Sequence, residues 1–151
     1  MMKRIEIMVA AGAGILAGVG VFTFYYAKGF SYASNDPKAC MNCHVMTEYY
    51  DSWNRGSHHK AATCNDCHVP HGPLEKYLTK AKNGWNHSKA FTLQNFPEPI
   101  RITPSNLQAL QHNCIECHQD MVSGLAAHRD VGRGEARCTQ CHQSAGHMKL
   151  D

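Results

Sequence analysis

The sequence Cys40-Met41-Asn42-Cys43-His44 is the first of four Cys-x-x-Cys-His motifs in the chain. The others begin at Cys64, Cys114 and Cys138, and no cysteine lies outside them. In such a motif two thiols can bond covalently to one c-type haem, and the histidine can ligate its iron. The sequence therefore predicts four c-type haems and electron-transfer chemistry. The predicted attachment residues are Cys40, Cys43, Cys64, Cys67, Cys114, Cys117, Cys138 and Cys141.

Two other uses of the cysteines were weighed. Disulfides and zinc ribbons do not explain a histidine directly after every second cysteine. Covalent haem attachment takes place outside the cytoplasmic membrane, so the motifs also predict the compartment. The formal charge of +3 comes from scattered basic residues without base-stacking aromatics between them, and no nucleic-acid partner is expected.

An uncharged run from Ile7 to Ala27 follows Lys3 and Arg4 near the N-terminus. As a helix it is about 31 Å long, enough to cross the hydrocarbon core of a lipid bilayer. The two basic residues predict a cytoplasmic N-terminus. A cleaved signal peptide is the alternative, but its apolar core is usually only about 7–15 residues long. We therefore predict a single-pass anchor.

The sequence predicts an anchor in residues 1–28 and a haem domain in residues 29–151. Between the second and third motifs lies an insert in which Pro73 predicts a helix start, Asn83-Gly84 its end, and Ser105 the cap of a second helix. Strand patterning is weak. The predicted fold is mainly α with extensive loops and little or no sheet, organised by the haems.

Axial ligands are less determined by the residues alone. Complete bis-histidine ligation needs four histidines besides those of the motifs. Seven are available: His58, His59, His71, His87, His112, His128 and His147. Met46 follows His44 by two residues. Its soft sulfur could replace His44 as a ligand, or Met46 could pack on the haem face, which geometry alone favours.

The chain resembles the NapC/NirT family of small membrane-anchored tetrahaem quinol dehydrogenases. It is most similar to the short branch that serves cytochrome c nitrite reductase. The resemblance extends over almost the full length. It is carried by the N-terminal anchor, the four motifs, Cys40-x-x-Cys43-His44-x-Met46, Ser57-His58, Cys67-His68-Val69-Pro70, and Cys141-His142 followed by Gly146-His147.

The resemblance implies a protein of the cytoplasmic (inner) membrane with its haem domain on the periplasmic side. It would oxidise menaquinol and pass electrons to a periplasmic multihaem reductase, here the catalytic subunit of cytochrome c nitrite reductase. Reduction of nitrite itself is assigned to that partner. The alternative is an anchored electron relay without a quinol site of its own.

The resemblance also implies iron ligands. Met46 would be the proximal ligand of the first haem and would leave His44 free. In this branch a lysine of the partner can ligate the fourth haem. The implied histidine ligands are His68 and His147 for the second haem, His118 and His58 for the third, and His142 for the fourth.

By the same resemblance, the quinol pocket lies beside the first haem and uses a lysine and an aspartate; the best match here is Lys76 and Asn83, with Lys80 and Lys82 nearby, and Lys76, Lys82 and Asn83 are the predicted pocket residues. Asn83 stands where the family has an aspartate, and an amide does not accept a proton as a carboxylate does. Another group, such as Glu75 or His87, would then take the quinol proton. Without the family, these lysines would indicate only a solvated helix face.

Overall fold

The computed structural model describes residues 2–148, so the last residues of the predicted haem domain lie outside the described part. No strand is present between residues 2 and 148, which confirms the predicted mainly α fold. Short 3₁₀ turns connect several of the helices. The helices are α1 (Met2–Tyr26), α2 (Thr47–Arg55), α3 (Cys64–His68), α4 (Pro73–Leu93), α5 (Pro104–Cys117), α6 (Gln119–Gly124), α7 (Arg129–Gly132) and α8 (Cys138–Cys141).

Helix α1 is long and apolar enough to cross a membrane from Lys3 to Tyr26. Just beyond it, Lys28 adopts the left-handed conformation at φ 52°, which reverses the chain. The ring of Phe24 fills the space beside Gly29, so any side chain at Gly29 would collide with it. The chain thereby turns back, and the 3₁₀ turn Gly29–Ala33 packs against α4.

The two helices of the insert differ from the prediction at their ends. Pro73 starts α4 as expected, but the helix continues through Asn83-Gly84 to Leu93. A helical glycine is disfavoured by only about 1 kcal/mol relative to alanine, and Gly84 gives the ring of Tyr32 a surface to pack on. Helix α5 is capped by the Thr103 side chain, which accepts from the Asn106 amide, and not by Ser105.

The side-chain core is small. Among the described residues, the buried apolar side chains are Trp53, Val69 and Val131. Buried Asn113 on α5 donates from Nδ2 to the carbonyl oxygens of Asp66, Cys67 and Val69 at 2.9, 3.2 and 2.9 Å. Asn113 directly precedes the third motif, so its side chain holds the second and third motifs together.

Candidate functional site

The four motifs lie side by side in the order of the sequence. The thiols of Cys40 and Cys64 are neighbours, and their interaction lowers the pKa of Cys40 to about 7 and raises that of Cys64. Cys114 and Cys138 form the equivalent pair between the third and fourth motifs. In each pair the two cysteines begin consecutive motifs, and the spacing in sequence is the same for both pairs. The first two motifs and the last two motifs are therefore arranged alike.

Cys67 links the two pairs. Burial raises the pKa of its thiol, and the nearby Asp66 and Cys117 raise it further. Cys114 lies close enough to Cys67 for the charge of one thiolate to disfavour that of the other. All eight cysteines are free of disulfides. Neighbouring motifs therefore adjoin along the whole series, as stepwise electron transfer requires.

Three motif histidines each face a histidine from outside the motifs. Metal–imidazole bonds of about 2 Å place the centroids of two rings on one metal ion about 6 Å apart. The observed centroid separations all match this spacing. They are 6.1 Å for His68 and His147, 6.0 Å for His118 and His58, and 6.2 Å for His142 and His128.

Hydrogen bonds orient two of these partner rings. His147 Nδ1 lies 3.0 Å from the carbonyl oxygen of Tyr49, and His58 Nδ1 lies 2.9 Å from that of Ala145. A carbonyl only accepts, so Nδ1 carries the proton in each ring. Nε2 is left with its lone pair, and a ring bonded in this way is the usual form of a metal-ligating histidine.

His128 was not singled out in the sequence. It belongs to the short helical stretch between the third and fourth motifs, and its ring faces His142 at an interplanar angle of 54°. Its Nδ1 lies 3.5 Å from the carbonyl oxygen of Met121. The only signal in the sequence was its membership of the surplus histidines, because no short motif surrounds it.

Several of the other histidines have different partners. His59 Nδ1 contacts the Gly56 carbonyl oxygen at 2.9 Å. His71 Nδ1 lies 3.0 Å and His112 Nδ1 3.8 Å from Glu116 Oε2. These three rings therefore belong to local hydrogen-bond and ion-pair arrangements.

The first motif differs from the other three in its surroundings. His44 and Met46 share one 3₁₀ turn directly before α2. His44 is exposed, whereas Met46 is partly buried. The three facing histidine pairs do not include His44.

The free cysteines and facing histidine pairs fit c-type haem. The small side-chain core fits it as well, because a large apolar macrocycle fills space that a domain of this size would otherwise fill with side chains.

A cavity of about 490 Å³ lies between the outer end of α1 and the middle of α4. Pockets of a few hundred cubic ångströms with mostly apolar walls and a few polar groups are typical of small-ligand sites. The cavity is lined by Phe24, Ala27, Gly29, Tyr32, Ala33, Tyr77, Lys80, Ala81, Gly84, Trp85 and Ser88. It therefore lies at the depth where the apolar anchor meets the remainder of the chain.

Lys80 is the charged residue of this cavity and is only 6% exposed. Its Nζ donates to the carbonyl oxygens of Ala33 and Ser34 at 3.3 and 2.7 Å, and to Asn35 Oδ1 at 2.9 Å. Burial and the nearby Lys76 lower the pKa of this amine, and Cys40 lies close enough to oppose that shift. Lys80 thus connects the cavity wall to the linker that leads into the first motif.

The three predicted pocket residues lie elsewhere on α4. Lys82 Nζ donates to Ser105 Oγ at 3.2 Å, and Asn83 Oδ1 accepts from Asn106 Nδ2 at 3.1 Å. Both therefore point towards the start of α5. Lys76 lies one turn before Lys80 and influences it by charge, but it does not line the cavity.

Tyr32 lines the cavity, and its hydroxyl lies 3.1 Å from Nδ1 of His87. Partial desolvation raises the pKa of Tyr32 to about 12, and the nearby Cys43 and Cys40 add to the shift. Desolvation also lowers the pKa of His87, although the residue as a whole is exposed. Tyr32 lies between the anchor and the first motif and belongs to no recognisable sequence motif.

Four covalent attachment motifs, facing histidine rings and an apolar N-terminal helix define a membrane-anchored c-type cytochrome. The sequence model of the NapC/NirT cytochrome c family, N-terminal region, matches residues 1–151. The chain belongs to this family.

Named relatives agree with this assignment. The chain is 40% identical over 145 residues to the cytochrome c-type protein NrfH of Wolinella succinogenes, covering 90% of this chain and 82% of that protein. It is 30% identical over 126 residues to the cytochrome c nitrite reductase subunit NrfH of Nitratidesulfovibrio vulgaris, covering 82% and 74%.

A solved structure shares the fold. It is the crystal structure of the cytochrome c nitrite reductase NrfHA complex bound to the HQNO inhibitor. The TM-score is 0.67 at 24% identity, over 95% of this chain and 92% of that one. At this identity the match shows a shared fold and nothing more.

Proposed function

We propose that this protein is a tetrahaem quinol dehydrogenase that oxidises menaquinol and passes the electrons to a periplasmic cytochrome c nitrite reductase. The observation that carries the proposal is the cavity between α1 and α4, which lies at the end of the membrane helix and is walled partly by Tyr32 and Lys80. Both residues lie close to Cys40 of the first haem motif. A quinol held there would be next to an electron acceptor.

Four c-type haems supply one-electron oxidation and reduction at their irons when bound. The chain contributes their covalent attachment and their ligands. The exposure of His44 beside partly buried Met46 supports Met46 as the proximal ligand of the first haem. The facing rings support His68 with His147, His118 with His58, and His142 with His128 as the other ligand pairs.

The cavity suits a quinol in shape and in chemistry. Phe24, Tyr77 and Trp85 offer apolar surface for an aromatic headgroup and the start of its chain. Lys80 places a positive charge in the wall, while its three N–H donors bind Ala33, Ser34 and Asn35. A quinol that loses its proton becomes an anion, and a positive charge nearby stabilises it. Lys80 therefore favours the form that gives up an electron readily.

The second long helix supports a position at the membrane surface. Leu74, Tyr77, Leu78 and Trp85 recur at helical spacing along α4, and their exposures are 72, 58, 61 and 70%. Tyrosine and tryptophan are favoured at the bilayer interface. This stripe continues the apolar surface of α1 across the cavity. We infer that α4 lies on the outer membrane surface and that the quinol enters from the lipid.

The orientation and the partner follow from the anchor and the relatives. Lys3 and Arg4 at the start of α1 favour a cytoplasmic N-terminus. The haem domain, residues 29–151, then lies in the periplasm, where its haems can meet a soluble reductase. A relative at 30% identity is a subunit of cytochrome c nitrite reductase, which makes that enzyme the proposed electron acceptor.

A stopped-flow reduction experiment tests the proposal. Oxidised, detergent-purified protein is mixed with menadiol, a soluble menaquinol analogue, with and without the inhibitor HQNO. We expect fast haem reduction that HQNO suppresses, and subsequent oxidation of the haems by the nitrite reductase. Slow or HQNO-insensitive reduction, in protein that dithionite reduces completely, would indicate an anchored electron relay instead.

A further inference from the structure

We propose that Tyr32 and His87 form a two-residue relay that carries the quinol proton from the cavity to the periplasmic water. The relay rests on the proposed quinol oxidation and identifies the group that receives the proton. It replaces the carboxylate that the sequence lacks at Asn83.

The geometry provides a path in two steps. Tyr32 is part of the cavity wall, and His87 is not. The Tyr32 hydroxyl lies 3.1 Å from His87 Nδ1, within hydrogen-bond distance. His87 as a whole is an exposed residue. The two side chains therefore connect the inside of the cavity with bulk water.

The path is held in place by helix α4. A Cβ built on Gly84 would lie 3.5 Å from the Tyr32 ring, which is ordinary van der Waals contact. Gly84 and His87 are three residues apart, so they share one face of the helix. On this face, Gly84 lies beside the ring of Tyr32, and His87, one turn later, hydrogen-bonds its hydroxyl.

The protonation states suit a transfer from the cavity outward. With a pKa of about 12, Tyr32 keeps its proton at neutral pH and donates it to Nδ1. The lowered pKa of His87 keeps its imidazole neutral before transfer and aids release afterwards. Desolvation is the largest cause of both pKa shifts, and it results from the position of the two side chains beside the cavity.

The proton and electron balance is simple. One quinol O–H bond breaks as its proton passes to the Tyr32 oxygen, and the tyrosine's own proton passes to His87 Nδ1. The tyrosine is unchanged, and the imidazole becomes an imidazolium that releases its Nε2 proton to water. A c-type haem attached at Cys40 and Cys43 would supply the one-electron oxidant, with one electron leaving the quinol for each proton. Exchange with water restores the Nε2–H tautomer of His87, and loss of the second proton and the second electron then converts the quinol to quinone.

Other proton acceptors fit less well. Glu75 lines a separate cavity with His71 and Glu116, away from α1. The oxygen of Asn83 is bonded to Asn106 and has no basic lone pair.

The titratable groups near Tyr32 and His87 come from α4 and from the first motif. On α4 they are Lys80 and, one turn earlier, Lys76. From the first motif they are Cys40 and Cys43, which become thioethers on haem attachment and then no longer titrate.

The test compares His87→Gln and Tyr32→Phe with His112→Gln, a change of an exposed histidine outside the cavity. Single-turnover reduction by menadiol is followed from pH 5 to pH 9. General base catalysis typically contributes a factor of about 10²–10⁴, and we expect rates at least about tenfold lower in both relay variants. The wild-type rate should rise with pH as His87 loses its proton, and this rise should be absent in His87→Gln.

Two further measurements separate the relay from a structural role. HQNO binding to His87→Gln, followed by inhibitor fluorescence, should match the wild type, because His87 does not line the cavity. Added imidazole should partly restore the rate of His87→Ala.

Each contrary outcome has its own meaning. Wild-type rates and pH profiles in both relay variants would overturn the relay but not the proposed quinol oxidation. Slow reduction with an equal loss of HQNO binding would have the same meaning, because it would show damage to the binding site. A wild type that menadiol does not reduce would overturn the proposed function and the relay with it.

Discussion

The imidazole rings of His68 and His147 lie 28° from parallel with their centroids 6.1 Å apart, although the two residues come from distant parts of the sequence. Burial, together with His147, lowers the pKa of His68 to about 4. The ring is therefore neutral at physiological pH, as a metal ligand must be. One histidine from the second motif and one from the C-terminal segment thus form one candidate iron site.

This pairing predicts the effect of His147→Ala. The haem attached at Cys64 and Cys67 should lose its sixth ligand and change from low spin to high spin, which is visible in magnetic circular dichroism and electron paramagnetic resonance. His112→Ala, the matched control, removes an exposed imidazole. Unchanged low-spin signals in His147→Ala would contradict the pairing.

His128→Ala tests the fourth haem. If His128 is its ligand, the isolated subunit should show one new high-spin haem, and His128→Met should raise the potential of that haem, because thioether ligation favours the ferrous state. The family resemblance implies a lysine of the partner at this position instead. On that view, the isolated wild type would already contain the high-spin haem, and adding the reductase would convert it.

Lys80→Met and Lys82→Met distinguish the observed cavity from the pocket expected by resemblance. Lys80→Met removes the positive charge in the cavity wall, which attracts the oxygen atoms of a bound inhibitor, and should weaken HQNO binding at least about tenfold. Lys82 bonds to Ser105, away from the cavity, and its substitution should have the smaller effect. The opposite order would return the quinol site to Lys82 and Asn83. Inhibitor titration of the oxidised proteins gives both affinities.

Asn113→Leu should destabilise the haem domain. Its amide reaches three carbonyl oxygens around the second motif, and leaving buried groups unpaired raises the free energy of the folded state by about 1–3 kcal/mol. Gln108→Leu, on the exposed side of the same helix, is the control. Denaturant unfolding of the haem-loaded protein, followed by near-ultraviolet circular dichroism, measures the difference. Equal midpoints for the two variants would argue against the clamp.

Lipid contact of α4 can be mapped directly. In nanodiscs with a photoactivatable phospholipid, peptides that contain Leu74, Tyr77 and Trp85 should be labelled together with α1. Peptides from α5 should remain unlabelled. Labelling confined to α1 would place α4 in water and remove the proposed lipid entrance to the cavity.

Local patterns in the sequence were sufficient for the mainly α fold and for the apolar helix. In each covalent haem motif the second cysteine and the histidine lie three and four positions after the first cysteine, and the anchor depends on a continuous apolar run, so both are readable without tertiary contacts. Pro73 marked the start of α4 for the same reason. The end of α4 was missed because Gly84 is held in the helix by a tyrosine more than fifty residues earlier.

By itself, the sequence determined the class of protein, because haem attachment and membrane insertion are properties of short segments. Only the tertiary structure brought His128 to face His142, placed Lys80 in the cavity wall, and brought Tyr32 to His87. These contacts join residues far apart in the chain. Their distances depend on how α1 turns back onto α4 and how the motifs stack, which no local pattern encodes.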